Sequence, residues 1–225
     1  PSMSDTHRIQ IPRMDWDGRA TDMRSRLVTW EWFWKLPRGR GRVVLDFSKV
    51  SFMEPWALAM FAAYGAWLRH QGAVVEVELD PANPANVYFE QMGLRELVSL
   101  HRSTDTAIHW SDSHQNTGLH LIRGESELAA FRRSSTRLTL THCEDAADAL
   151  KWAMTELSRN VIQHSGSAIG GVAIAQHFPE RKALQVAIVD VGQGLRDSLL
   201  HRYPEIKNDS EALRLAVLPH TSGAL

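Results

Sequence analysis

Cysteine is nearly absent from this chain: its 225 residues include one, Cys143. An internal disulfide is thereby excluded, as is a metal site built from several thiolates. Such usage suits a reducing compartment, so a cytoplasmic location is expected. Long apolar runs are also missing. No stretch approaches the roughly eighteen residues that a membrane-spanning helix needs, and no membrane partner is expected. Neither sign of charge is in excess, since 25 Lys and Arg stand against 26 Asp and Glu for a formal net charge of −1. That balance gives no electrostatic case for nucleic acid or an anionic lipid surface. No internal repeat, low-complexity tract or signal peptide is visible, and Pro1-Ser2-Met3 has the look of a protease scar ahead of a native start. What remains is ordinary for a globular protein, with 44% apolar and 23% charged residues. The length accommodates two domains of about a hundred residues each.

The most informative stretch runs from Leu150 to Gly194. Ala146, Ala149, Leu150, Ala153, Met154, Leu157 and Val161 recur at spacings of three and four, which predicts an amphipathic helix with that stripe toward a core. Glu156 and Asn160 stand on another face, one turn apart, where a carboxylate and a carboxamide can converge on one ligand or ion. The helix stops at His164-Ser165-Gly166, with Gly166 suited to a left-handed cap. Two β-rich runs follow, 171–175 and 183–189, separated by a polar turn around Pro179-Glu180-Arg181. The second leads directly into Asp190-Val191-Gly192-Gln193-Gly194. An acid at a strand end followed by alternating glycines offers a fixed acceptor beside a backbone that a flat or phosphorylated ligand can approach.

Together, Glu156-x-x-x-Asn160 and Asp190-x-Gly192-x-Gly194 resemble the N box and G1 box of the GHKL ATP-binding fold, the family of histidine kinases, type II topoisomerases, Hsp90-type chaperones and anti-sigma factor serine kinases. The resemblance covers about Ser126 to Leu225. It implies a C-terminal α/β sandwich of the Bergerat type that binds ATP and Mg²⁺. Asn160 would ligand the Mg²⁺ that bridges the phosphates, Glu156 would be the general base, and Asp190 would accept the adenine amino group with Gly192 and Gly194 seating the base. Mg²⁺ keeps several waters and takes few protein oxygens, so one Asn carbonyl plus phosphates suffices. His164 and Arg159 either join the ligand set or merely finish the helix end, where a histidine is favoured by the dipole.

Past the glycine turn, 195–203 and 210–217 read as helices, which the family uses as a lid. Pro219-His220-Thr221-Ser222-Gly223 resembles the start of the loop leading to a second glycine motif, with Thr221 among the nucleotide contacts. The chain reaches Leu225 before that motif appears. A site lacking those backbone donors is expected to favour adenosine over the triphosphate.

In the first half, Ala20 to Leu36 reads as a helix ended by Pro37. Leu27, Trp30 and Trp34 share a face, as core or as a partner anchor. Val43 to Phe47 is a strand candidate, Pro55 to Arg69 a helix, Ala73 to Leu79 a strand, and Asn86 to Met92 a short helix closed by Gly93. Strands alternating with helices imply an α/β layering with a mostly parallel sheet. The run Val44 to Glu54 with the elements after it resembles a STAS domain, the anti-sigma factor antagonist module. Here Glu54 is followed by Pro55 and Trp56, where that family carries an Asp and two serines, so no phosphate acceptor stands in the loop. Glu54 could supply a permanent negative charge there.

Residues 101–118 are polar, with Ile108 and Trp110 as their only large apolar side chains, and read as a linker or solvated loop. The irregular spacing of His101, His109 and His114 does not predict zinc. After it, 119–122 and 138–141 read as short strands around a helix from Glu125 to Phe131. The expected organisation is a STAS-like domain over 4–102, a linker over 103–118 and a GHKL domain over 119–225. The function implied is an ATP-binding regulator of the anti-sigma, partner-switching type that phosphorylates a Ser or Thr of another protein. A sigma factor or STAS-type regulator would be the partner, and a homodimer the assembly. The alternative is a non-catalytic interaction module in which nucleotide only sets conformation.

Overall fold

The computed structural model describes residues 6–12, 35–38, 41–99, 115–142 and 144–218. Three strands, β1 (Thr6–Gln10), β2 (Arg42–Asp46) and β3 (Val74–Glu78), form a parallel sheet in that order. Side chains alternate across it: Ile9, Val43, Leu45, Val75 and Val77 are buried in a common core, whereas Arg8, Arg42, Glu76 and Glu78 are exposed. On the charged face Arg8 reaches both Asp46 and Glu78 at 2.7 Å, and Arg42 meets Glu76 at 2.7 Å. Along the edge strand β3, Arg69 and Arg95 donate to the carbonyls of Val75 and Val77. Those arginines blunt an edge that would otherwise template another strand.

Helix α1 (Pro55–His70) begins with proline at its first turn and carries Arg69 and His70 in its last, each in the place that helix sterics and the dipole favour. Its interior is apolar on every side, and Ala57 through Gly65 are all buried. A helix of that kind belongs inside a protein rather than on its surface. Accordingly α1 packs against β3 on one side and, on the other, against β5 (Gly171–Phe178) and β6 (Ala183–Asp190). Its small residues let neighbours approach: a Cβ at Gly65 would lie 2.8 Å from Val98, on the short helix α3 (Leu94–Ser99). The helix before it, α2 (Pro84–Gln91), is capped by Asn83, whose side chain accepts from the Ala85 amide. Asn86, fully buried, donates to the carbonyls of Phe47 and Val50 and accepts from the Asp80 amide. These bonds fix the loop that leads from β2 into α1.

The second sheet is antiparallel, in the order β4 (His120–Ile122), β5, β6. Both of its faces are covered, and strand parity sorts the side chains. Val172, Ile174, Ala187 and Val189 join the core around α1. Ala173, Ala175, Leu184, Val186 and Ile188 join a second core with Leu128, Phe131, Leu138 and Met154, from helices α4 (Glu125–His142) and α5 (Ala147–His164). The described residues therefore form a mixed α/β structure of four layers, with α1 shared between the two sheets. A third, small cluster holds α6 (Gly194–Leu200) to α7 (Asp209–Ala216) through Leu199, Ile206 and Ala212.

Several expectations are corrected. The segment 138–141 is not a strand: α4 continues unbroken to His142. Leu128, Phe131, Ser135 and Leu138 fall at helical spacing and are buried together. The Ser135 and Thr139 hydroxyls donate to the carbonyls of Phe131 and Ser135, so the residues that suggested a strand are satisfied within the helix. Residues 116–118 are not solvated loop but buried. Thr117 is buried, its amide donates to Ala175 O at 3.0 Å and its hydroxyl accepts from the Ala175 amide at 2.9 Å. On α5 the expected stripe holds in part: Met154 and Val161 are buried and Leu150 packs against the second core, but Leu157 is 54% exposed and Ala149 is exposed, while Thr155 and Ser158 are buried. The helix expected over 20–36, the histidines at 101, 109 and 114, and Cys143 and Thr221 lie outside the described residues, except that Lys35 and Leu36 form a turn. Among the described residues no helix is long and apolar enough to cross a membrane.

Candidate functional site

Two elements far apart in sequence build the site. The first is the C-terminal half of α5. Gly171 brings this helix close to β5, because a Cβ there would lie 2.7 Å from Val161. Near its end, Ser165 Oγ donates to Val161 O at 2.7 Å and accepts from the Ser167 amide, which tightens the last turn before Gly166 at φ +61°. The second element is the turn after β6. The hairpin reverses at Pro179–Arg181, with Lys182 left-handed at φ 48°, and β6 then delivers Asp190 at its last position. The Asp190 carboxylate accepts from the Gly192 amide at 2.8 Å, closing the turn on itself.

The turn is fastened to the helix end. The Gln193 amide donates to Ser165 O at 2.8 Å, and its side-chain Nε2 donates to His164 O at 2.9 Å. Gly192 must be glycine for this approach: a Cβ would stand 1.9 Å from Ser165 O. Gly194 differs. Its φ of +77° favours glycine, yet nothing lies within 4 Å of a Cβ placed there.

Between helix and turn lies a cavity of about 370 Å³, a volume within the usual range for a small-molecule site. Asn160, His164 and Ser165 line it from α5 and its end, Asp190 and Gly194 from the turn, and Ser198 from α6. The apolar wall is made by Leu157, Val161, Ile188, Leu195, Leu199 and Ala216. Of the residues singled out from sequence, Asn160, His164, Asp190 and Gly194 are thus brought together. Glu156 and Gly192 are not among the lining residues. Glu156 is half exposed and lies 3.6 Å from Arg159 on its own helix, an ion pair of the kind that contributes little. Gly192 serves the contact with Ser165. Ile188, Ser165, Leu157 and Ser198 were not anticipated, although local periodicity signals them: Ile188 shares a strand face with Asp190, Leu157 precedes Asn160 by three, and Leu195, Ser198 and Leu199 share a face of α6.

Among the described residues no group of three or more His, Cys, Asp or Glu could hold a metal ion. Asn160 is the one carboxamide among the lining residues, a neutral oxygen ligand of the kind that suits a hard cation keeping its waters and arriving with an anionic ligand.

A second junction joins the two halves at the opposite end of the hairpin. The Arg181 guanidinium lies 5.4 Å from the ring centre of Phe52, in the loop before α1, and 5.0 Å from that of Phe178. Burial pushes the Arg181 guanidinium down from its ordinary value while the charge of Glu54 pulls it back up. Glu54 is itself buried and accepts from Trp56 Nε1. Tyr88 Oη donates to Gln176 Oε1 at 2.8 Å across the same boundary. Compared with known proteins, the chain matches no family model, no curated protein and no solved structure.

Proposed function

We propose that this protein is an ATP-binding regulator of the GHKL class, fused to a STAS-like half that acts on it in cis. The observation carrying this reading is the convergence of Asn160 and Asp190, 30 positions apart, on one cavity with an open glycine backbone beside it. Asp190 would take the amino edge of adenine and the Leu157, Val161 and Ile188 wall would cover its face. Asn160 would offer its carbonyl oxygen to Mg²⁺ carried by the phosphates. The separate cluster of α6 and α7 suits a lid, being a small unit free of the two large cores. Calorimetric titration with ATP and Mg²⁺ tests the proposal: wild type binds, and Asp190→Ala and Asn160→Ala each weaken binding at least tenfold. Binding undiminished in Asp190→Ala would overturn it.

Turnover is a separate matter, and the place of Glu156 favours the second reading, a module in which nucleotide sets conformation without being consumed. Its carboxylate sits beside Arg159 and outside the cavity lining. If the protein is a kinase, Glu156→Gln abolishes phosphate transfer to a Ser or Thr of a STAS-type partner and leaves ATP affinity intact. If it is a conformational module, wild type and Glu156→Gln are indistinguishable in both measurements. The loop contact of Phe52 and Glu54 with Arg181 supports action in cis, because the segment that would carry a phosphate acceptor in a STAS module is engaged by the chain's own hairpin. A sigma factor or a second STAS-type protein remains the proposed outside partner.

A further inference from the structure

We infer that Gln193 is a positioning residue of the cavity: its side-chain amide sets the separation between the Asp190 turn and the Asn160 helix, and so the affinity for nucleotide. The nucleotide part of this inference rests on the function proposed above. The positioning part rests on contacts alone. A helix ends with carbonyls that have no partner within it, and at the end of α5 two of these, His164 O and Ser165 O, are both taken by Gln193. The backbone bond exists for any residue at the position. Only the side-chain bond is specific to Gln, and only a donor can make it, since the alternative amide orientation would set oxygen against oxygen.

The geometry transmits this bond directly to the cavity walls. Asn160 stands one helical turn before His164, whose carbonyl Gln193 holds. Asp190 is tied to the same turn through the Gly192 amide at 2.8 Å. Gly192 meets Ser165 so closely that the turn has no slack toward the helix, so the remaining freedom is outward, and the Nε2 bond at 2.9 Å opposes it together with the backbone bond to Ser165 O. Gln193 is exposed, so burial contributes little to holding the turn.

Three variants of the full chain separate the donor from the bulk of the side chain: Gln193→Ala, the isosteric non-donor Gln193→Glu, and Gln193→Lys, a donor that the negative end of the helix dipole also favours. Hydrogen exchange of the amides at 192 and 193 is read without ligand, and ATP with Mg²⁺ and adenosine are titrated separately. A single neutral hydrogen bond predicts about three- to tenfold faster exchange and about three- to tenfold weaker binding of both ligands in the Ala and Glu variants. The Lys variant is expected to keep near wild-type protection, and global unfolding to shift in the Ala and Glu variants by no more than the worth of one hydrogen bond. Exchange unchanged in the Ala and Glu variants overturns the inference, and so does equal loss of protection in the Glu and Lys variants. If Gln193→Ala does not fold, Gln193→Glu carries the same test. Should wild type bind neither ATP nor adenosine, the nucleotide reading fails while the exchange measurements still decide the role of Gln193.

Discussion

The two glycines of the Asp190 turn look interchangeable in sequence and are not so in space, which makes a paired substitution informative. A methyl group at Gly192 would meet Ser165 O at 1.9 Å and Ser165 C at 2.6 Å. Both are backbone atoms of a helix end and cannot swing away, so the turn must lift by more than an ångström. Overpacking of this kind costs about 1–3 kcal/mol, and lifting the turn breaks both bonds from Gln193 at about 0.5–1.5 kcal/mol each. The sum for Gly192→Ala is about 2–6 kcal/mol. At Gly194 a methyl group meets nothing within 4 Å, and the cost of Gly194→Ala is confined to a left-handed φ of +77°, about 1–2 kcal/mol. Urea unfolding followed by tryptophan fluorescence measures both. With a slope of about 2 kcal/mol per molar, Gly192→Ala lowers the midpoint by about 1 M or more and Gly194→Ala by less. The reasoning is refuted if Gly192→Ala unfolds at the wild-type midpoint, or if the order of the two is reversed.

Other outcomes follow from single groups. Ser158 is fully buried on α5 and its hydroxyl finds no partner among the described residues. Removing an unsatisfied polar group costs little, so Ser158→Ala should leave the urea midpoint unchanged or raise it by up to about 1 kcal/mol equivalent. Asn86→Leu should destabilise by about 1–3 kcal/mol, because it removes a buried donor from the Phe47 carbonyl, which keeps the Val50 amide, and the acceptor of the Asp80 amide. Burial pushes the Asp46 carboxyl up, but the Ser48 hydroxyl and amide together with Arg8 outweigh it and hold it below the ordinary carboxylate value. Its contribution is therefore present above the unfolded value near 3.8 and fades as pH falls through the lower folded value, and Asp46→Asn should flatten the acid limb of a stability–pH curve. His177, stacked on His142 with ring centres 3.6 Å apart, is held below the ordinary imidazole value by burial and then by the charge of His142. Between 6.5 and its lower folded value the unfolded chain binds a proton that the folded one does not, so stability falls as pH drops, and His177→Phe should remove that part of the slope.

Local periodicity made much of this protein legible in its sequence: the α5 helix, the hairpin closed at Pro179–Arg181 and the glycine turn after Asp190 are short-range patterns whose hydrogen bonds lie within or next to the element, while the strands of the parallel sheet show as apolar or alternating runs although their partners are distant in sequence. The same reasoning failed at 138–141, where Leu and Thr looked like a strand, because a continuous stripe from Leu128 to Leu138 onto the antiparallel sheet outweighed local propensity. It also misplaced part of the inward face of α5: Met154 and Val161 are buried as expected, but Leu157 is exposed while Thr155 and Ser158 are buried. How that helix is rolled depends on Gly171 admitting Val161, a contact between residues on different elements. That roll places Asn160 and Leu157 on the cavity and leaves Glu156 beside Arg159. The sequence alone therefore determined most of the segments that are helix, strand and turn. Only the tertiary structure decided that α1 is shared between two sheets and which polar side chains meet over one cavity, because close packing between distant elements fixes the rotation of each helix and no single segment encodes it.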